Sequence, residues 1–202
     1  MNSQHHVPIG YEGREQALIK HLLLKSYLER LLLIIGMGGR RSGRVELCYV
    51  DCFAGPWGDE SDDLANTSIA IYLRTMEKCR RALVGQSVNV TMRALFIERD
   101  DEAFGRLEDF LARPREDAVR AACMHGDFVD LRPQILDWCG RDAFTFFFID
   151  PKGWKDVALP KLVPLLARPR SEFLINFMYD FINRTASMRS MQREIAELLG
   201  VG

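Results

Sequence analysis

Residues Val45 to Gly58 read VELCYVDCFAGPWG, and this stretch decides the fold. An apolar run ends in the carboxylate of Asp51 and opens into a loop of small residues. Phe53 and Ala54 lead into Gly55, and Pro56 and Trp57 separate it from Gly58. The pattern predicts a buried strand whose carboxyl end delivers a tight turn. In open α/β sheets ligands bind just outside the carboxyl ends of the strands.

Before this stretch, Arg14 to Ile35 predicts a helix. Leu24, Leu28, Leu31 and Ile35 recur at helical spacing and form one apolar stripe, with Lys25 and Glu29 on another face. Gly36 reads as its stop, and Gly36 to Gly43 (GMGGRRSG) as a flexible basic loop. This is not a phosphate loop, since it follows a helix and lacks the G-K-S/T ending. Arg40, Arg41 and Arg44 read as solvated, with contact to phosphates as the alternative. Residues 1–13 read as a flexible lead-in, and residues 14–202 as a single α/β domain that continues, or is truncated, at its carboxyl end.

After the stretch, Asp59 to Asp63 (DESDD) reads as an acidic surface insertion. Thr67-Ser68 caps a helix running to about Arg81, with Ile69, Tyr72, Leu73 and Met76 inward. Val88 to Glu98 predicts a second strand. Asp100 caps a helix that buries Phe104, Leu107 and Leu111 and ends at Pro114. Ala118 to Met124 predicts a third strand, followed by a helical stripe of Leu131, Ile135 and Trp138. Phe144 to Ile149 (FTFFFI) is apolar throughout, as in a central parallel strand covered on both faces. A short helix, Ala158 to Leu166, a strand, Phe173 to Phe177, and a helical pattern of Met188, Met191, Ile195 and Leu198 complete the chain. Strand and helix alternate throughout. The expected fold is α/β, with a doubly wound, mostly parallel sheet.

Composition sets bounds on function. The 202 residues are 48 % hydrophobic and 27 % charged, which suits a packed core and excludes disorder. The net charge of −1 offers no whole-chain attraction to phosphate, so a nucleic-acid surface would need local clustering. Five cysteines, an odd number in a chain of this length, read as reduced thiols rather than a disulfide framework. Cys48 and Cys52 have no further ligands at metal-site spacing, so no metal is expected. The start lacks the charged and apolar regions of a secretory leader, and no apolar run reaches membrane length. The expected location is the cytoplasm, with no membrane association.

Acidic residues close four of the predicted strands or follow them directly: Asp51, Glu98, Asp127 and Asp150. One acid at a strand end is ordinary turn chemistry. Several on one sheet edge suit a ligand rich in hydroxyl and amino donors. Glu98 fits the acid that accepts from ribose hydroxyls, but it lies much farther along the chain than the roughly twenty residues of a dinucleotide unit. The first loop also lacks G-x-G-x-x-G, which disfavours a nicotinamide or flavin dinucleotide.

These residues resemble the class I SAM-dependent methyltransferase fold, Rossmann-like in layout, whose sheet usually adds two further strands after the fifth. The resemblance implies S-adenosylmethionine as cofactor. Asp51, Phe53, Ala54, Gly55 and Pro56 would lie under its methionine part, and Glu98 on its ribose. Asp127 and Phe128 would meet its adenine, and Asp150 would close the site. More narrowly, the chain resembles the three-Cys-motif partner proteins, the TcmP family. The carriers are Lys20-His21 with Tyr27-Leu28, YVDCFAGP (49–56), FIERD (96–100), FIDPKGW (148–154) and INFMYDFINR (175–184). That family implies a three-cysteine, radical-SAM-like partner protein.

Asp150, Pro151 and Trp154 are the implied catalytic residues. They resemble the D/N-P-P-aromatic turn that holds a target amino group of a nucleic-acid base, with Lys152 in place of the second proline. Trp154 either stacks on the acceptor or packs beneath the turn. No Pro-Cys pair occurs, so cytosine C5 chemistry is not expected. Asn176, Asp180 and Arg184 either face the cleft or serve as turn residues. His125 reads as a local hydrogen-bond partner. Two functions follow: a methyltransferase, with a nucleic-acid base among its acceptors, or a non-catalytic partner protein that keeps the cofactor-binding fold.

Overall fold

The structure is a computed structural model. It describes residues 15–55, 67–115, 118–151 and 157–176, with single positions within 192–200, and side chains from residue 19 on. The lead-in, the acidic insertion, Pro56, Trp154, Phe177, Asp180, Arg184, Met188 and Met191 lie outside the described residues. The elements in order are α1 (Glu15–Ser42), β1 (Val45–Asp51), α2 (Ser68–Gly85), β2 (Val90–Glu98), α3 (Asp101–Ala112), β3 (Arg120–His125), α4 (Phe128–Cys139), β4 (Phe144–Ile149), α5 (Leu159–Leu166) and β5 (Ser171–Ile175). The strands form one parallel sheet in the order β3-β2-β1-β4-β5. The expected α/β, Rossmann-like fold is therefore the observed one. The chain winds outward from β1 through β2 to β3, then returns to β4 on the other side of β1. The carboxyl ends of β1 and β4 thus flank the point where the winding reverses, which is where such sheets bind ligands.

Two compact units can be distinguished. The first contains α1 and α2. Leu24, Leu28 and Leu32 of α1 are buried, as are Ile69, Tyr72, Leu73 and Met76 of α2. Thr67 caps α2 as expected, accepting from the Ala70 N–H at 3.4 Å. Buried Glu77 takes two hydrogen bonds from Arg80, one from Arg81 and one from the Ala118 N–H. These hold its carboxyl down at about 2.

Of the expected basic loop at Gly36 to Gly43, all but Gly43 is instead the last two turns of α1. The buried line runs Leu24, Leu28, Leu32, Gly36, Gly39, so Leu31 and Ile35 are only half-buried. Gly36 and Gly39 serve close packing here and do not stop the helix. A Cβ at Gly36 would collide with the buried Leu83, and one at Gly39 would lie 2.7 Å from Val45 Cβ. Glycine lowers helix propensity, but tertiary packing overrides that preference.

The second unit is the sheet with α3, α4 and α5. All of β1 except Glu46 and all of β4 except Phe144 are buried, as FTFFFI required. One sheet face carries Val50, Leu95, Ile97, Phe147 and Ile149, packed with Ile135 of α4 and Leu162 and Leu165 of α5. The other face includes Tyr49, which stacks on Phe146 at 6.0 Å. Asp100 caps α3, accepting from the Ala103 N–H at 2.9 Å. β5 starts two residues earlier than expected, with Ser171 opposite Thr145. Its residues are only half-buried, so the polar Ser171 and Glu172 fit an edge strand, and Arg168 ties the Ser171 hydroxyl to the Gly140 and Ala143 carbonyls.

The two neighbouring helix glycines are expected to respond in opposite ways. Gly38 has open space where a Cβ would stand, so Gly38→Ala should raise stability by up to about 1 kcal/mol. Gly39→Ala should lower it by about 1–3 kcal/mol through overpacking on Val45. Urea unfolding of both variants measures the contrast.

Candidate functional site

A cleft of about 360 Å³ opens at the carboxyl ends of the strands in the second unit, and its lining comes from the ends of β1, β2, β3 and β4. This volume lies within the range of small-molecule sites. Phe53 and Gly55 line it after β1, Glu98 at the end of β2, Gly126 and Asp127 after β3, and Asp150 after β4. Each follows from a parallel strand running out of the core into a turn.

Backbone hydrogen bonds hold the turn after β1. The Cys52 N–H donates to the Phe148 carbonyl at 3.0 Å, and the Ala54 N–H to the Ile97 carbonyl at 2.8 Å. The chain therefore stays in register with β4 and then with β2. The Asp51 side chain is 3 % exposed. It accepts from the Phe53 N–H at 3.1 Å and from the Tyr49 hydroxyl at 3.4 Å. Burial pushes its carboxyl up to about 7, and the nearby charges of Asp150 and Glu98 add to the shift against those two hydrogen bonds.

Glu98 is also buried, at 5 % exposure. One oxygen accepts from the Arg99 and Asp100 N–H groups, each at 2.8 Å. The other faces Gly55 so closely that a Cβ there would lie 2.5 Å from it. Gly55 is thus a close-approach glycine, and the second oxygen has room only because residue 55 carries no side chain.

Asp127 caps α4, accepting from the Val129 N–H at 2.7 Å, and its other oxygen lies 3.7 Å from the Arg99 guanidinium. Gly126 reaches this corner at φ +141°, a conformation that suits glycine alone. Phe128 borders the cleft but is 2 % exposed, with its ring packed on Phe53 at 5.4 Å. Asp150 accepts from the Asn176 side-chain amide at 2.6 Å. Asn176 follows β5, and its own N–H pairs with the Ile149 carbonyl.

Of the residues singled out from the sequence, Phe53, Gly55, Glu98, Asp127, Phe128 and Asp150 line one cleft. Asp51, Ala54 and Pro151 are buried and do not line it. Pro56 and Trp154 lie outside the described residues. His125 is a local partner, 3.0 Å from Asp101 and stacked on Phe104 at 4.6 Å.

Sequence reasoning missed Arg99, Glu102 and Arg106 as lining residues. Glu102 and Arg106 stand four apart on α3, a spacing that places both on one helix face once the helix is known to open at the cleft. Glu98, Asp100, Glu102, Asp127 and Asp150 outnumber Arg99 and Arg106, so the described lining is net acidic. It favours a cationic ligand with hydroxyl and amino donors over a phosphorylated one.

Burial also keeps the core thiols protonated, with Cys48 pushed up to about 12 and Cys79 to about 11. Neither is a ready nucleophile. Among the described residues no cluster of three or more His, Cys, Asp or Glu is placed to hold a metal ion, and no helix is long and apolar enough to cross a membrane. Comparison of the chain with family profiles, with curated proteins and with solved structures returns no match.

The buried Asp51 generates a pH prediction. Its folded pKa lies above the unfolded value, so its favourable contribution is full below about pH 4 and is lost as pH rises to about 7. Asp51→Asn retains a hydrogen-bond acceptor and removes the titration. Relative to wild type, the variant should gain on the order of a few kcal/mol of stability between pH 4 and pH 8. Chemical denaturation across that range measures it, and parallel curves for the two proteins would contradict the assignment.

Proposed function

We propose that the chain binds S-adenosylmethionine in this cleft and transfers its methyl group to a nitrogen or oxygen acceptor, with an amino group of a nucleic-acid base as the acceptor class. The observation that carries the reading is the buried carboxylate of Glu98 at the cleft, with one oxygen fixed by two backbone N–H groups and the other lying against Gly55 after β1. A carboxylate so held is suited to accept from a pair of ribose hydroxyls. The acidic lining supports a ligand that carries an ammonium and a sulfonium and no phosphate. The resemblance of YVDCFAGP, FIERD and FIDPKGW to the three-Cys-motif partner family supports the same assignment, and with it a three-cysteine partner protein.

When bound, S-adenosylmethionine supplies an electrophilic methyl group on its sulfonium. The protein's own residues then supply position and charge. Glu98 accepts from the ribose, and the loop from Phe53 to Gly55 lets the backbone approach the ligand. Asp51 lies behind the lining, where it holds the Phe53 N–H, and an ammonium in the cleft would favour its charge across that turn. Asp150, steadied by Asn176, accepts hydrogen bonds from an acceptor amino group and orients its lone pair.

Calorimetric titration of S-adenosylhomocysteine, the demethylated product, tests the binding half. Wild type is expected to bind, and Glu98→Ala to bind about tenfold to a hundredfold more weakly through loss of charged hydrogen bonds. Gly55→Val should abolish binding by displacing the Glu98 carboxylate. Tritiated-methyl transfer to cellular RNA, DNA or protein, lost in Asp150→Ala, tests the chemistry. No heat of binding in wild type would refute the proposal, and binding without transfer to any acceptor would point to a non-catalytic partner protein.

A further inference from the structure

Helix α1 is apolar on two faces. Leu24, Leu28 and Leu32 are buried. Leu23, Tyr27, Ile34 and Met37 are exposed, with Leu23 65 % and Ile34 70 % open to solvent. Together with Arg30 these residues recur at spacings of four, three, four and three. That is the seam of a helix that packs lengthwise on a second helix, here about 21 Å long. Single exposed leucines are ordinary, but a continuous apolar seam marks an interaction surface. Arg30 sits at the middle of the seam, is exposed, and has no ion pair among the described residues. Arg41 is also exposed and lies eleven residues on, three turns away on the same face. The one acid among the described side chains of α1 is Glu29, and it is turned to Lys78 of α2. The seam is therefore apolar and positively charged.

We propose that this seam docks a helix of another protein, one with an apolar stripe at the same spacing and an Asp or Glu at the position that meets Arg30. This stands independently of the nucleoside reading. A second copy of the chain fits poorly. Parallel pairing in register sets Arg30 against Arg30, and antiparallel pairings that keep most of the seam in contact bring the two guanidinium groups within about one helical turn of each other. Like charges set together in a closing contact are costly, and the face carries no described acid to offset them. A partner carboxylate removes that repulsion and takes up the forked donors of the guanidinium. A lipid surface would accept the apolar residues, but it suits helices whose charges lie on the opposite face, and here Arg30 lies within the stripe. One charged residue in an apolar seam thus chooses the partner, as polar seam residues do in paired helices.

The experiment is sedimentation velocity of the full 202-residue chain at about 50 μM, where a micromolar contact is well populated. The probe partner is the chain's own Arg30→Glu variant, which presents this seam with a carboxylate in it. Residues 30 and 34 are exposed, so substitutions there leave the packed core untouched. Wild type alone and Arg30→Glu alone should each sediment as a monomer. An equimolar mixture of the two should form a heterodimer, and adding Ile34→Asp to either chain should abolish it. A mixture that stays monomeric would overturn the inference. Dimers of wild type alone would overturn it in favour of a second copy, and a heterodimer that survives Ile34→Asp would place the contact on another surface. Pelleting of wild type with phosphatidylserine vesicles, lost in Ile34→Asp, would overturn it in favour of a lipid surface.

Discussion

A carboxylate out of water governs this molecule. Asp51 ends the middle strand of the sheet with 3 % of its surface exposed, held by one backbone N–H and one tyrosine hydroxyl. Removing a charge from water is unfavourable unless partners replace the lost hydration. Two hydrogen bonds do so in part, and burial still pushes the carboxyl up to about 7, with the charges of Asp150 and Glu98 adding to it. The parallel sheet imposes this arrangement. β1, β2 and β4 run the same way, so the acids at their ends gather at one edge. Natural sequences tolerate such local conflict mainly where function requires it. A ligand bearing positive charge would relieve it.

The neighbouring acids show how the chain limits that conflict. Glu98 spends one oxygen on the N–H groups of Arg99 and Asp100, and Asp127 spends one on the first turn of α4. Asp150 takes a 2.6 Å hydrogen bond from Asn176. Each carboxylate is therefore anchored before any ligand arrives, and an anchored acceptor loses little freedom on binding. Gly55 completes the cradle by leaving room for the second oxygen of Glu98. Fixed acceptors at the edge of a cleft suit a nucleoside. The same anchoring makes Asn176 and Arg99 important, although neither belongs to a motif of strand-end acids.

Much of this was legible in the sequence, for identifiable reasons. FTFFFI has no polar face, so it had to be an inner strand. Asp100 precedes a helical stripe, and capping chemistry placed it correctly. The carboxyl ends of β1 and β2 fell at Asp51 and Glu98 because an apolar run stops sharply at each. The glycines of α1 were misleading because their role is relational. Whether Gly39 breaks a helix or admits a neighbour depends on Val45, which the local sequence does not reveal. β5 was displaced for a similar reason, since an edge strand can begin on Ser171 and Glu172, which hydrophobic pattern alone excludes. The use of Asp127 as a helix cap, the burial of Phe128 and the place of Arg99 at the cleft all depend on tertiary contacts that no periodicity encodes.

The central claim is that the strand-end acids of the second unit form a nucleoside site. A crystal structure of the chain soaked with S-adenosylhomocysteine tests it most directly. The expected result is ligand density in the cleft, with the ribose hydroxyls on the free oxygen of Glu98, the sugar over Gly55 and the amino-acid end toward Asp51. Density at any other place on the molecule, or a ribose directed away from Glu98, would contradict the account.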